Sequence, residues 1–282
     1  MYHLHLSTGS RGGGQSAKAK SDYVTRQGKY ENQEDKCVYT FSGNMPNFAE
    51  EDPTEYWQAA DNHERANGRL YTEIEIALPQ EMKPHEYCGL ASRMTAQIVN
   101  ERNLPYTMAV HEGRGDNPHV HIVISERAND GIDRDAEQWF KRANKQEPEL
   151  GGAAKDREIQ QKEWLQGVRE DWQEIANESL RVWGYEKRID HRTLQEQGID
   201  REPQQHIGPA AWNMGQDDID TERMDEHRQQ QEQLEREKEL AQELKSVEQD
   251  LIELHVKIDQ EEEREAQREL KLERNQDRGL GW

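Results

Sequence analysis

The chain has 282 residues, 32% hydrophobic and 34% charged, so it cannot all be packed core. A formal net charge of −21 argues against a polyanion bound across the whole surface, and two cysteines, Cys37 and Cys88, are too few for a disulfide framework or zinc cluster. No stretch approaches the roughly 18 apolar residues of a membrane span, and the N-terminus lacks the apolar core of a secretion signal, so the expectation is a soluble protein in a reducing cytoplasm.

Tyr2-His3-Leu4-His5-Leu6 alternates as a strand, and Arg11-Gly12-Gly13-Gly14 breaks it as a flexible loop. A helix is expected from near Ser16 to about Arg26. The first 30 residues carry Arg11, Lys18, Lys20, Arg26 and Lys29 against Asp22 alone. A DNA- or phosphate-binding surface is therefore expected to start there, with Arg65, Arg69, Arg114, Lys141, Arg142 and Lys145 as additions. Cys37 to Phe41 reads as a short strand or ordered loop. Asp52-Pro53 provides a cap and first position for a helix through about Arg65. Arg69 to Leu78 is a strand stopped by Pro79, and Lys83-Pro84 begins a helix to about Asn100.

Tyr106 to His111 and His119 to Ile124 read as two strands joined by a turn-rich segment, and so as a hairpin. Residues 126–160 are polar with little periodicity, although Trp139-Phe140 should pack back. Glu163 to Trp183 reads as an amphipathic helix through Trp164, Leu165, Val168, Trp172, Ile175, Leu180 and Trp183. The sum is an α+β fold, an antiparallel or mixed sheet with helices on one face, spanning a first domain of residues 1–210. Residues 211–282 form an acidic tail with 22 acidic and 11 basic residues. It reads as a long charged helix whose Leu240, Leu244, Val247, Leu251, Leu254 and Ile258 make a short a/d seam. A partner helix, coiled-coil self-association and a solvated extension are comparable readings of that seam.

The hairpin carries the chemistry. In His119-Val120-His121-Ile122-Val123-Ile124 the two imidazoles share one face and the aliphatic residues Val120, Ile122 and Ile124 the other. With His111 they make a three-imidazole set suited to a catalytic divalent ion that keeps positions open for substrate oxygens. The pair alone reads equally as two surface histidines; the third histidine and nearby glutamates favour the metal. Glu73 and Glu75 share one face of Tyr71–Ile76, opposite Ile74 and Ile76. They could orient a ligating histidine, take a metal position or accept a proton, or else form a solvated face. Mg²⁺ and Mn²⁺ suit phosphate oxygens, and an all-histidine site would also hold Zn²⁺, Co²⁺ or Ni²⁺.

Several blocks in order then resemble one family: Ser16-Ala17 through Tyr23, Gly43-Asn44-Met45-Pro46, Tyr56-Trp57 through Arg65, Glu73 to Pro79, the His111/His119/His121 set, Ile189-Asp190-His191-Arg192 through Pro203, and His206-Ile207-Gly208-Pro209. Over residues 1–210 the chain resembles the MobA/MobL (MobQ-type) plasmid mobilization relaxases of the HUH endonuclease group. The resemblance implies an enzyme that nicks one strand of single-stranded origin-of-transfer DNA through a tyrosine and stays on the 5′ end as a phosphotyrosine until the strand is resealed. It implies Tyr23 as nucleophile, with Tyr30 as runner-up, and His111, His119 and His121 as metal ligands. It also implies accessory mobilization proteins and a type IV secretion coupling protein as partners, no membrane insertion, and a bacterial cytoplasmic location with passage to the recipient cell alongside the DNA. A rolling-circle replication initiator of the same group is the alternative. His3-Leu4-His5 repeats the histidine-hydrophobe-histidine pattern without a third histidine at hairpin distance.

Overall fold

The computed structural model describes residues 3–33, 35–113 and 117–199, and scattered positions between 228 and 249. It falls into two units, Met1–Arg192 and Thr193–Trp282. In the first, strands β1 (Leu4–Ser10), β2 (Cys37–Gly43), β3 (Arg69–Ala77), β4 (Tyr106–His111) and β5 (His119–Ile124) form a 5-stranded sheet ordered β1-β3-β5-β4-β2, and every neighbouring pair is antiparallel. The central place of β5 follows from its composition: five of its six residues are buried, so it needs neighbours on both edges.

Register decides what each face carries. Glu75 pairs with His121, which pairs with Ala109; Ala77 pairs with His119, which pairs with His111. Directly paired residues share a face, so both carboxylates and all three imidazoles lie on one side of the sheet. The other side is aliphatic: Ile74, Ile76, Met108, Val110, Val120, Ile122 and Ile124 form one core with helices α3 (Pro84–Val99) and α5 (Lys162–Val182). Val168, Trp172, Ile175, Ala176 and Leu180 recur at helical spacing and bury the apolar stripe of α5, whereas Trp183 at its end is 47% exposed.

Helices α1 (Ala17–Thr25) and α2 (Pro53–His63) cover the opposite face, so helices lie on both sides of the sheet where the sequence reading expected one. The histidine face is not uniformly polar. Ala109, Val123 and Tyr71 sit on it and form a second core with Ala17, Val24, Tyr56 and Trp57 of those helices and with Trp139 of α4 (Ala136–Trp139). Local chemistry starts these helices where expected: Ser16 Oγ accepts from Ala19 N, Asp52 caps α2 ahead of Pro53, and the Glu86 carboxylate reaches back to Lys83 N. Arg11–Gly13, read as a flexible loop, is a short 3-10 turn capped by Ser10.

The polar segment after β5 is held by a buried ion pair. Arg127 makes two hydrogen bonds to Glu64, at 2.9 and 3.2 Å, and donates to the carbonyls of Trp139, Phe140, Lys141 and Ala153. Trp139 and Phe140 thereby pack back as expected. In the second unit the described positions between 228 and 249 are helical, and Leu240 and Val247 are exposed. Leu244, Leu251, Leu254 and Ile258, the block His206–Pro209, Pro203, Arg114 and the 210/211 boundary lie outside the described residues.

Candidate metal and nucleophile site

The three imidazoles cluster as the register requires, with ring centroids 4.8 to 5.2 Å apart, and each offers a nitrogen within 4.8 Å of the others. His111 and His121 are buried and His119 half-buried. Hydrogen bonds set their tautomers. His121 Nδ1–H donates to Glu73 Oε1 at 2.9 Å and His119 Nδ1–H to the Asn117 carbonyl at 2.9 Å, which leaves both Nε2 atoms with lone pairs. His111 Nε2–H donates to the Val24 carbonyl at 2.6 Å, and its Nδ1 lies 3.2 Å from Asp35 Oδ2 and 3.1 Å from the Arg26 guanidinium. His119 and His121 are thus oriented through Nδ1 with Nε2 left to ligate, as ligating histidines require, whereas both nitrogens of His111 meet protein groups.

Glu73 and Glu75 separate in role. Glu73 is buried; it binds His121, accepts from Ser7 Oγ at 3.0 Å and pairs with Lys20 Nζ at 2.6 Å. Burial pushes its pKa up, but His121 and Lys20 outweigh that and hold it at about 2. Glu75 is more exposed and stands 3.9 Å from His121 Nδ1. Burial pulls His111 down, yet the Asp35 carboxylate, Cys37 and the Val24 carbonyl bring it up to about 9. His119 is lowered, first by burial and then by its two imidazole neighbours despite the Asn117 carbonyl.

Tyr23 of α1 reaches this cluster. Its ring meets His121 edge-on with centroids 6.2 Å apart, and Tyr30 packs edge-on at 5.4 Å against the same tyrosine. The Arg26 guanidinium lies 4.6 Å and Lys20 Nζ 5.3 Å from the Tyr23 ring centroid. Of the five basic residues read from the N-terminus, Lys20 and Arg26 therefore turn inward. Lys18 pairs with Asp22, while Arg11, bonded to the Asp61 carbonyl, and Lys29 are exposed. His5 is exposed on β1, and His191 bonds Gln173 away from the sheet.

One site residue has no sequence signal. Asp35 lies in the polar run Asn32-Gln33-Glu34-Asp35-Lys36, which has no periodicity, yet its Oδ2 is 3.2 Å from His111 Nδ1, 3.6 Å from His119 Nε2 and 2.9 Å from Arg26. Burial pushes its carboxyl up, but His111, His119 and the Gly113 N–H hold it far below the usual carboxylate range.

Comparison with known proteins bears on this arrangement. The MobA/MobL family model matches residues 14–217, most of the chain and every element around the histidines except β1. The chain belongs to the MobA/MobL family. Among its relatives, "Mobilization protein A" of Escherichia coli is 50% identical over 225 residues, covering 80% of this chain and 32% of that protein. The "43 kDa relaxation protein" of Salmonella typhimurium is 42% identical over 213 residues, covering 71% of this chain and 56% of that protein. The family member described here thus spans about a third and about half of the length of these two relatives. A solved structure described as the molecular basis of vancomycin resistance transfer in Staphylococcus aureus matches at TM-score 0.54 and 26% identity, over 68% of this chain and 99% of that one.

Proposed function

We propose that this MobA/MobL protein is a plasmid mobilization relaxase that nicks one strand of origin-of-transfer DNA and holds the 5′ end on Tyr23. The observation that carries the reading is the edge-on approach of Tyr23 to His121 beside two further imidazoles. The donor set fits a divalent ion: three ring nitrogens within 4.8 Å, two with lone pairs left by outward hydrogen bonds, and a carboxylate orienting His121. Such an ion, when bound to His111, His119 and His121, would polarise the non-bridging oxygens of a phosphodiester; Mg²⁺ or Mn²⁺ suits that task.

The chain's own residues supply the rest. The Tyr23 oxygen attacks phosphorus in line, the new O–P bond forms as the bond to the 3′-oxygen breaks, and that oxygen leaves as a 3′-hydroxyl with a proton from solvent. The phenolic proton passes to solvent or to Glu75, while Glu73 keeps His121 in place. Lys20 and Arg26 lie 5.3 and 4.6 Å from the Tyr23 ring centroid and place positive charge beside the nucleophile. The phosphotyrosine retains the energy of the phosphodiester, so a free 3′-hydroxyl reverses the step and reseals the strand without ATP. The scissile segment must be single-stranded, because a duplex would keep its phosphate away from a site between the sheet face and α1. Arg11 and Lys29 neutralise flanking phosphates. Mobilization accessory proteins and a type IV secretion coupling protein complete the reading as partners in the bacterial cytoplasm.

The test is incubation with labelled single-stranded transfer-origin DNA and Mn²⁺, followed by denaturing electrophoresis and mass spectrometry of tryptic peptides. A metal-dependent adduct on Tyr23, absent from Tyr23→Phe while that variant still binds DNA and metal, is expected. An adduct on Tyr30 would move the nucleophile, and cleavage without an adduct would point to a water nuclease.

A further inference from the structure

The C-terminal end of α1 is built unusually. Arg26 closes the helix in the left-handed region, at φ 56° and ψ 45°, where an L residue with a Cβ is strained by about 1 kcal/mol or more. Three hydrogen bonds hold it there. Its buried guanidinium donates to the Tyr23 carbonyl at 2.5 Å, the Asp35 carbonyl at 2.9 Å and Asp35 Oδ2 at 2.9 Å, and it lies 3.1 Å from His111 Nδ1. One side chain therefore touches both the backbone of the tyrosine and the ring of a histidine from another element.

Asp35 completes the connection. Its Oδ2 faces Arg26 and His111 together, and its Oδ1 accepts from Gly113 N at 2.8 Å. Gly113, just after β4, sits at φ +73°, where an added Cβ would lie 1.9 Å from the Asn117 carbonyl oxygen, so the backbone at Gly113 and Asn117 passes too close for a side chain. The same carboxylate thus contacts the backbone after β4 at Gly113, the ring of His111 and the guanidinium beneath Tyr23.

We propose that Asp35 is a positioning residue of the reaction, which through Arg26 and His111 sets the distance between Tyr23 and the histidine cluster. Asp35 itself does not touch DNA or the reacting phosphate. The proposal rests on the relaxase reading for its kinetic consequence, but not for its structural one. Freed of Asp35, the end of α1 can slide against β4, and a misplacement of about 1 Å at the nucleophile lowers the rate by roughly 10²-fold.

The experiment compares wild type, Asp35→Asn, Arg26→Gln and the double variant. In each, the rate of Tyr23 adduct formation at saturating DNA, the half-saturating DNA concentration and Mn²⁺ affinity by calorimetry are measured. Asp35→Asn is expected to slow adduct formation about 10²-fold at saturating DNA and saturating Mn²⁺ while half-saturating DNA stays within about threefold, and the double variant should be no slower than the worse single, since both break one linkage. Multiplicative losses in the double variant, or an unchanged rate in Asp35→Asn, would overturn the proposal. Should Asp35→Asn fail to fold, Asp35→Glu keeps the charge but moves the carboxylate by one methylene, and it should show the same rate loss in a folded protein. Ring resonances of ¹³C-labelled tyrosine give a readout independent of activity: the Tyr23 signals should move in Asp35→Asn while those of Tyr56 do not. If wild type forms no adduct, the relaxase reading fails, and unmoved Tyr23 signals would separately refute the positioning role.

Discussion

Replacing Glu64 by Gln should cost about 3–5 kcal/mol of folding stability at neutral pH, because it strands the guanidinium of Arg127 in the core. Arg127 and Glu64 are each 2% exposed and joined by two hydrogen bonds. Arg127 also saturates the carbonyls of Trp139, Phe140, Lys141 and Ala153, so it cannot turn out to water without uncovering four acceptors. In a unit of this size each kcal/mol lowers Tm by roughly 2–4 °C, so the expected drop is on the order of 6–20 °C by calorimetry. The pH dependence adds a sign. Burial raises the Glu64 pKa, but Arg127 and Lys155 outweigh it and the group ends below the ordinary carboxylate value. A depressed folded-state pKa contributes stability that is present above the unfolded carboxylate value, about 4.3, and is lost as pH falls through the folded value. Protonated Glu64 resembles glutamine, so the Tm gap between wild type and Glu64→Gln should be widest above about pH 5 and shrink toward acid. A gap under 2 °C at pH 7, or one that widens on acidification, would refute the reasoning. Arg127→Met should cost more than Glu64→Gln, since it removes the donors of four carbonyls as well as the charge.

Glu73→Gln should weaken Mn²⁺ binding about 10–100-fold in calorimetry, because the amide is a poorer acceptor for His121 Nδ1–H and no longer fixes the ring. Tyr56→Phe removes hydrogen bonds to Ser125 Oγ and from Trp139 Nε1 and should cost about 1–2 kcal/mol in urea unfolding. In the wild type, burial and the Glu64 charge push the Tyr56 phenol up to about 12, against Ser125, Trp139 and Arg127. Ultraviolet titration should therefore show one tyrosine ionising near pH 12 that Tyr56→Phe lacks, and the stability it contributes should hold below pH 10 and fade as pH rises through 12. Trp172→Ala, at the 1% exposed centre of the α5 contact, should cost about 3–5 kcal/mol and leave Mn²⁺ affinity unchanged, since that face of the sheet is opposite the histidines.

The periodicity of β3, β4 and β5 was legible because each strand alternates one chemistry per face; a period of two leaves Glu73, Glu75, His119 and His121 on one side once Ile74, Ile76, Val120 and Ile122 are buried. The helices α1, α2 and α3 announced their starts through Ser16, Asp52-Pro53 and Lys83-Pro84, whose signals need only nearby backbone groups, whereas α5 was legible from its apolar stripe. That helices also cover the histidine face was less visible, because the signal is a few residues, Ala109, Val123 and Tyr71, among polar neighbours.

What the sequence by itself determined, then, is the set of elements and the three-histidine hairpin, carried by contacts within a few residues or by fixed spacing, together with the ordered blocks that resemble the family. Only the tertiary structure decided which groups complete the site. It divided Glu73 from Glu75 by burial, turned Lys20 and Arg26 from the surface toward the tyrosine, and brought Asp35 to His111 across 76 positions of chain. Likewise Glu64 and Arg127 meet across 63 positions, and no local pattern marks either as half of a buried pair. Periodicity is written in neighbours along the chain, whereas the partner of a buried charge is chosen by the packing of elements far apart in it.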